Sequence, residues 1–273
     1  MEVDEPFRPI GRYIVRMPLY ASLASSYDDL FPMAANAASF LNALVAEGRP
    51  PSRDRRSLDA GCATGAHALA LAARGWTSIG LDSEASMIAV AREAARRSGL
   101  SERAEFSTAN ILDIGGLFAK GSFDLILCLG NTLPHLLGAG AASFLAQARE
   151  LLKPGGALVL QTLNFALPGV GPGYAFPPIE AGGAALRRGY EPGPPESPDA
   201  IRFVVELTKH GRTERAETLL RPLAPRRIAS MLEEARFARP ELFSGWDGRL
   251  FDEGGDPYLL AVARTPFGDR LRP

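Results

Sequence analysis

Cysteine is scarce: among 273 residues only Cys62 and Cys128 occur. Two cysteines cannot build a disulfide framework or a four-thiolate zinc site, and both sit in apolar stretches that suit small buried residues in a reducing compartment. No run of about 18 apolar residues occurs, so no helix is expected to span a membrane. The opening MEVDEPFRPIGR is acidic and lacks a hydrophobic signal core. An excess of either charge is missing too. The 30 basic and 31 acidic residues leave a formal net charge of -1, so the basic footprint of a nucleic-acid binder is absent. Lysine is rare (3 against 27 arginines), but the arginines are scattered rather than clustered. These absences imply a cytoplasmic protein, monomer or homodimer, with no nucleic-acid or membrane partner.

What is present fits a globular chain: 46% apolar and 22% charged residues, and length for one elaborated domain or two small ones. Residues 1–20, with Pro9 and Pro18, read as an irregular lead-in. FPMAANAASFLNALVA (31–46) has helical spacing, with Pro32 in the first turn and Gly48, Pro50 and Pro51 ending it. Strands are then expected at 56–60, 77–82, 104–110, 123–130 and 157–163, alternating with helices at 66–75, 83–99 and 142–156. That alternation implies right-handed βαβ units and a parallel sheet. Residues 165–200 hold 7 glycines and 8 prolines in 36 positions, too many for regular elements, and read as a lid or excursion. IRFVVELTKH and RTERAETLLRPL flank Gly211 as an antiparallel hairpin, and a helix (225–237) and strands near 239–246 and 258–264 close the chain.

The most informative segment is SLDAGCATGAHALALAARGWTSIGLDSEASMIAVA (57–91). Strand, acid, glycine turn and helix come in order, and a second strand ends in Asp82, 21 residues after Gly61. Gly61 and Gly65 let backbone approach a ligand, the helix offers free N–H groups, and Asp82 can accept hydrogen bonds from both hydroxyls of a ribose. A dinucleotide fingerprint wants glycine where Ala63 stands, and a pyrophosphate needs that close approach, so NAD and FAD are disfavoured.

LDAGCATG resembles the first motif of class I S-adenosylmethionine-dependent methyltransferases. FSTANILDI (106–114) resembles the third motif, FDLILCLGNTLPHL (123–136) the fourth with a glycine N-methyltransferase-like flavour, and LLKPGGALVLQTLN (151–164) the helix–turn–strand after it. YASLASSYDDLFP (20–32) is similar to the tyrosine-bearing cover segment and YLLAVAR (258–264) to the reversed last strand. The resemblance implies an α/β fold: a Rossmann-like seven-stranded sheet with helices on both faces, last strand antiparallel, plus a small antiparallel β excursion after the fifth strand. It divides the chain into a cover segment and helix (1–50), a cofactor-binding core (51–165), the excursion and hairpin on the acceptor side (166–223), and a closing helix and strands (224–273).

The implied cofactor is S-adenosyl-L-methionine. Asp82 is then the ribose acid with Ser83 beside it, Met87 the apolar face against adenine, Asn110 and Ile111 the adenine-edge contacts, and Asp59, Gly61, Cys62, Ala63, Gly65, Leu129 and Gly130 the loops around the methionine portion. Tyr20 and Tyr27 are aromatic walls for the sulfonium. His135 follows the fourth strand, where ligands bind, and is the candidate base or acceptor contact. Asn131, Arg187, Arg188 and Tyr190 are candidate acceptor contacts, the arginines as a clamp if the acceptor is a carboxylate. His67 is at best a cofactor neighbour, and His210 a solvated turn residue. No carboxylate cluster suggests a metal. The implied activity is methyl transfer to N or O of a small-molecule acceptor by in-line displacement. A nicotinamide oxidoreductase and a binding protein that keeps the cofactor but has lost transfer remain the alternatives; no N/D-P-P-Y/F signature of nucleic-acid methylation follows the fourth strand.

Overall fold

The structure of the chain, a computed structural model, describes residues 18–46 and 54–266. The lead-in 1–17, the helix-stopping Gly48, Pro50 and Pro51, and residues 267–273 lie outside these. The described chain starts with α1 (Pro18–Leu23), a 3-10 turn (Ala24–Ser26), α2 (Tyr27–Leu30) and α3 (Ala37–Ala46). The helix expected over 31–46 therefore begins only at Ala37. Phe31 has left helical space (φ -132°, ψ 64°), as the clash between a proline ring and the residue before it requires at Pro32.

There follow β1 (Arg56–Ala60), α4 (Ala66–Ala72), β2 (Thr77–Asp82), α5 (Ala85–Arg97), β3 (Ala104–Thr108), α6 (Ile114–Leu117), β4 (Phe123–Cys128), α7 (Gly140–Leu151) and β5 (Leu152–Leu163). α7 stops before the Lys-Pro-Gly-Gly run, which belongs to β5, since Pro154 cannot continue a helix. Then come β6 (Ile179–Ala181), β7 (Ala184–Pro192), β8 (Ile201–Lys209), β9 (Arg212–Leu220), α8 (Pro225–Glu234), β10 (Glu241–Phe243) and β11 (Tyr258–Arg264). One sheet has seven strands in the order β10-β11-β5-β4-β1-β2-β3. Only β11 runs against its neighbours β5 and β10; the other pairings are parallel.

Both faces of this sheet are covered, which is why β4 reads as a continuous apolar run from Leu125 to Cys128. Its alternate residues Ile126 and Cys128 pack toward α7 and α8, among Phe144, Leu145, Ile228 and Leu232. Leu125, Leu127 and Leu129 pack toward α3 and α4, among Leu41, Leu44, Leu71 and Trp76. Each fully buried leucine or isoleucine contributes about 1.5–3 kcal/mol, and truncating one to alanine costs about 2–5 kcal/mol.

The excursion is more regular than its composition suggests. A second, four-stranded antiparallel sheet, β6-β7-β8-β9, includes two strands from the span expected to be structureless. The glycines supply the turn: Gly182 and Gly183 both have positive φ (58° and 72°), the conformation that a two-residue hairpin needs at both central positions. Pro192 sits at the end of β7, where proline is tolerated. The β8–β9 hairpin forms as expected, turning at His210 and Gly211 with φ of 52° and 73°. His210 is exposed. The N-terminal helices lie against this sheet: Leu19, Leu23 and Leu30 cluster with Leu186, Val205 and Leu207, and with Met87 of α5. Lys209 Nζ donates to Ser25 Oγ and Ser26 Oγ (2.9 and 2.8 Å).

Candidate active site

The carboxyl ends of β1, β2, β4 and β5, the N-terminal helices and the inner face of the second sheet enclose one cavity of about 1260 Å³. Ligand pockets ordinarily run to ~300–1,000 Å³, so this one has room for two small molecules. At its base the chain turns sharply after β1: Gly61 and Gly65 both have φ of 84°, and the N–H groups of Gly61 and Cys62 donate to the Leu81 carbonyl (2.7 and 2.9 Å). Gly61 lines the cavity. Gly65 instead serves the packing beneath it, because a Cβ there would lie 2.5 Å from the ring of buried Phe106. Its expected ligand contact is replaced by this steric role.

Two carboxylates stand at the tips of adjacent strands. Asp82 Oδ2 accepts from the Ala63 N–H and Oδ1 from the Glu84 N–H, each at 2.9 Å. A carboxylate has about four acceptor positions, so capacity for two hydroxyls remains. Burial raises the pKa of Asp82, against the pull of those N–H groups. Asp59 is buried, and its Oδ2 has no hydrogen-bond partner. Burial, reinforced by the charge of Asp82, pushes its pKa up to about 7. A buried carboxylate oxygen without a partner is costly and suits a ligand cation. Cys62 lines the cavity with its thiol pushed far up by burial, so it acts as a small apolar residue.

Ser83, Met87, Asn110, Ile111, Leu129 and Gly130 also line the cavity. Asn110 Oδ1 already accepts from the Leu112 N–H (3.0 Å), which leaves one lone pair for a ligand donor. Tyr27 lines the cavity; Tyr20 lies on α1, and its side chain is outside what the structure describes.

On the side of the second sheet the lining is aromatic and continuous. His135 meets Phe203 (6.1 Å between ring centroids), Phe203 meets Phe176 (6.2 Å) and Tyr190 (5.7 Å), and Phe176 lies over the Arg188 guanidinium (4.8 Å). Phe31 covers Arg188 from its own side at 5.1 Å and meets Tyr27 at the same distance. His135 Nδ1 has no hydrogen-bond partner, and burial lowers the imidazole pKa to about 4, opposed by a hydrogen bond to the Leu219 backbone. Asn131 is pinned in the left-handed region (φ 65°), its Oδ1 accepting from the Leu163 N–H at 2.9 Å. Its side chain also hydrogen-bonds Tyr190, whose pKa is raised chiefly by burial.

Arg188 and Tyr190 thus sit on strand β7, and not in a loop. Arg187 is corrected: one residue out of phase on the pleat, it is exposed on the other face and does not reach the cavity. The sequence reading missed several lining residues. Thr64 donates to Asp28 and latches α2 onto the glycine turn. Thr162 is buried with no partner for its hydroxyl. Trp246 meets His67 (5.8 Å) from the loop between β10 and β11, and His67 is pushed down to about 4 by burial. The acid in YDDLFP, the threonine in GCATG and Thr162 in LLKPGGALVLQTLN stood inside motifs already singled out; Trp246 had no spacing signal. No group of three or more metal-ligating side chains occurs among the described residues.

Residues 58–156 match the family model described as a methyltransferase domain. The matched span is about a third of the chain. It holds the glycine turn, Asp59, Asp82 and the tips of β1, β2 and β4, and it stops inside β5, before the second sheet. The chain is 34% identical over 131 residues to a ubiquinone biosynthesis O-methyltransferase of Dinoroseobacter shibae, covering 46% of this chain and 50% of that protein. The chain spans about half the length of the curated relatives it matches. Among solved structures, the methyltransferase CcbJ of Streptomyces caelestis aligns with a TM-score of 0.74 at 24% identity, covering 90% of this chain and 98% of CcbJ. The sugar N-methyltransferase KedS8 of Streptoalloteichus sp. aligns at 0.64 and 20% identity, over 97% and 99% of the two chains. At these identities the likeness speaks for the fold, including the antiparallel excursion. No helix among the described residues is long and apolar enough to cross a membrane.

Proposed function

We propose that this chain is an S-adenosylmethionine-dependent methyltransferase that alkylates N or O of a small molecule. The observation that carries the reading is the pair of strand-tip carboxylates over the glycine turn, one with capacity for two hydroxyls and the other with a buried, unpartnered oxygen. Asp82 would hold the ribose and Asp59 the amino-acid ammonium, with Met87, Asn110 and Ile111 around the base. Bound there, S-adenosylmethionine supplies an electrophilic methyl carbon on a sulfonium.

The remaining work falls to positioning. Tyr27 presents an aromatic face to the positive charge. α1, α2 and the second sheet exclude water from the same cavity, and alignment of acceptor and methyl supplies several kcal/mol. His135, with Asn131, Arg188 and Tyr190 beside it, faces the acceptor. The core and closing elements (51–165, 224–273) would bind cofactor, and the cover and excursion (1–50, 166–223) would select the acceptor. The similar proteins include an O- and a sugar N-methyltransferase, and this reading takes from them only a small acceptor. Titration calorimetry tests it. S-adenosylhomocysteine should bind and NAD should not; Asp82→Ala should weaken binding by ~1–3 kcal/mol, the cost of a lost charged acceptor. Tighter binding of NAD, or no binding of S-adenosylhomocysteine, overturns the reading.

A further inference from the structure

The acceptor end of the cavity is set apart from the cofactor end by its charge. Asp59 and Asp82 both belong to the floor, whereas the ionised group of the aromatic wall is the Arg188 guanidinium, held between Phe31 and Phe176. The acids nearest this wall on the excursion, Glu196 and Asp199, lie on the exposed rim, and Asp199 is paired with Arg221. A cationic acceptor would therefore enter beside that guanidinium, next to a second positive charge on the sulfonium. Among the described residues the other carboxylates lining the cavity are Glu84 at the floor and Asp28, which accepts from Thr64, so the wall itself offers it no buried carboxylate.

The polar atoms along the wall point the same way. His135 offers a neutral nitrogen lone pair at Nδ1, buried and unpartnered, while Leu219 engages the ring through its backbone. The hydrogen bond from Asn131 works to lower the Tyr190 pKa, as a bond donated to the phenol oxygen does, so the amide NH2 of Asn131 is the group that meets Tyr190. The phenol oxygen then accepts, and its own proton is free to be donated elsewhere. One acceptor and one donor thus stand among flat aromatic faces.

We propose, resting on the methyl-transfer reading above, that the methyl acceptor is a planar compound whose nucleophile is an uncharged hydroxyl or amino group borne on the ring. Its ring lies against Phe176 and Phe203, and its O–H or N–H donates to His135 Nδ1. As the acceptor's lone pair forms the bond to the methyl carbon, the carbon–sulfur bond breaks with its electron pair going to sulfur, and the acceptor's proton passes to His135 Nδ1. An alkylammonium has no such lone pair. It would first have to give up its proton near pH ~10.4, and an imidazole held down to about 4 does not take it. A ring hydroxyl needs no prior ionisation, since its proton becomes strongly acidic only as the new bond forms.

The test uses the whole protein saturated with S-adenosylhomocysteine and three ligands of matched shape: 2-naphthol, 2-naphthylamine and 2-naphthylmethylamine, the last a cation at neutral pH. Calorimetry should give at least tenfold tighter binding for one or both of the first two than for the third, and the tighter of them says whether oxygen or nitrogen is preferred. His135→Leu should abolish that preference while its affinity for S-adenosylhomocysteine stays within twofold of wild type. Equal or tighter binding of the cation, no binding of any of the three, or a preference intact in His135→Leu overturns the proposal. Failure of wild type to bind S-adenosylhomocysteine instead overturns the methyl-transfer reading beneath it.

Discussion

In the seven-stranded sheet β1, β4 and β5 are buried on both faces, whereas β9 of the four-stranded sheet leaves most of its residues to solvent. The first sheet holds its ligand groups by backbone: the glycine turn, and N–H donors that lock Asp82. The second holds its groups by side-chain stacking, from Phe203 through Phe176 to Arg188. Backbone geometry tolerates little change, while stacked side chains can be exchanged with the framework intact. The family match ends at residue 156, inside β5 of the first sheet, and includes none of the second. One fold can thereby keep a common ligand on its floor and vary the other on its wall.

The largest expected effect lies in the backbone-built half. Gly65→Ala adds left-handed strain of about 1–2 kcal/mol to overpacking of about 1–3 kcal/mol against Phe106. Its melting temperature should fall clearly below wild type; an unchanged value would dissolve the contrast between the halves.

The next effect is read by pH, and its sign differs between the two ends of the cavity. Asp59 has its pKa raised in the folded chain from 3.8 to about 7. Its contribution to stability is therefore full below about pH 4 and lost as pH rises through 7, which Asp59→Asn should prevent. His135 is lowered from 6.5 to about 4, so its contribution is full above 6.5 and lost as pH falls toward 4. Thermal melts of the ligand-free protein from pH 4 to 8 check both: Asp59→Asn should gain on wild type at the alkaline end, and His135→Gln at the acid end. S-adenosylhomocysteine, by charging Asp59, should bind more tightly as pH rises from 5 to 7. A difference from wild type that stays constant with pH in both variants would mean that neither group is as buried as its environment indicates.

A smaller effect is expected at the seam. Thr64→Val removes the hydrogen bond to Asp28, worth about 1 kcal/mol, and loosens α2 from the glycine turn. Amide exchange over 27–30 should quicken while that of β1 and β4 holds; equal change in both would show that the cover and core open together. The smallest effect is expected at Arg187. Arg187→Ala should shift stability by less than about 0.5 kcal/mol and leave ligand affinities alone, since its side chain faces away from the cavity. A marked loss of acceptor binding would put Arg187 back beside Arg188.

The α/β alternation, the glycine turn and Asp82 were legible because each is a local matter: strand runs, positive-φ positions and a fixed interval from Gly61. The same locality explains the errors. Counting glycine and proline in 165–200 predicted a lid or excursion without regular elements, yet Gly182 and Gly183 make a tight hairpin turn and Pro192 ends a strand. Phe31 to Asn36 has helical spacing, but Pro32 strains the residue before it. Arg187 and Arg188 looked equivalent until the pleat put them on opposite faces.

By itself the sequence determined the order along the chain of the strands in the seven-stranded sheet and the floor of the site, because hydrophobic period, glycine torsions and strand-end acids act within a few residues of one another. Only the tertiary structure decided which side chains complete the cavity. Thr64 with Asp28, Trp246 with His67, and the series from His135 to Arg188 join residues far apart in the chain. No spacing rule encodes such pairs, since they meet only when two separately formed sheets and a cover segment bury their apolar faces against one another.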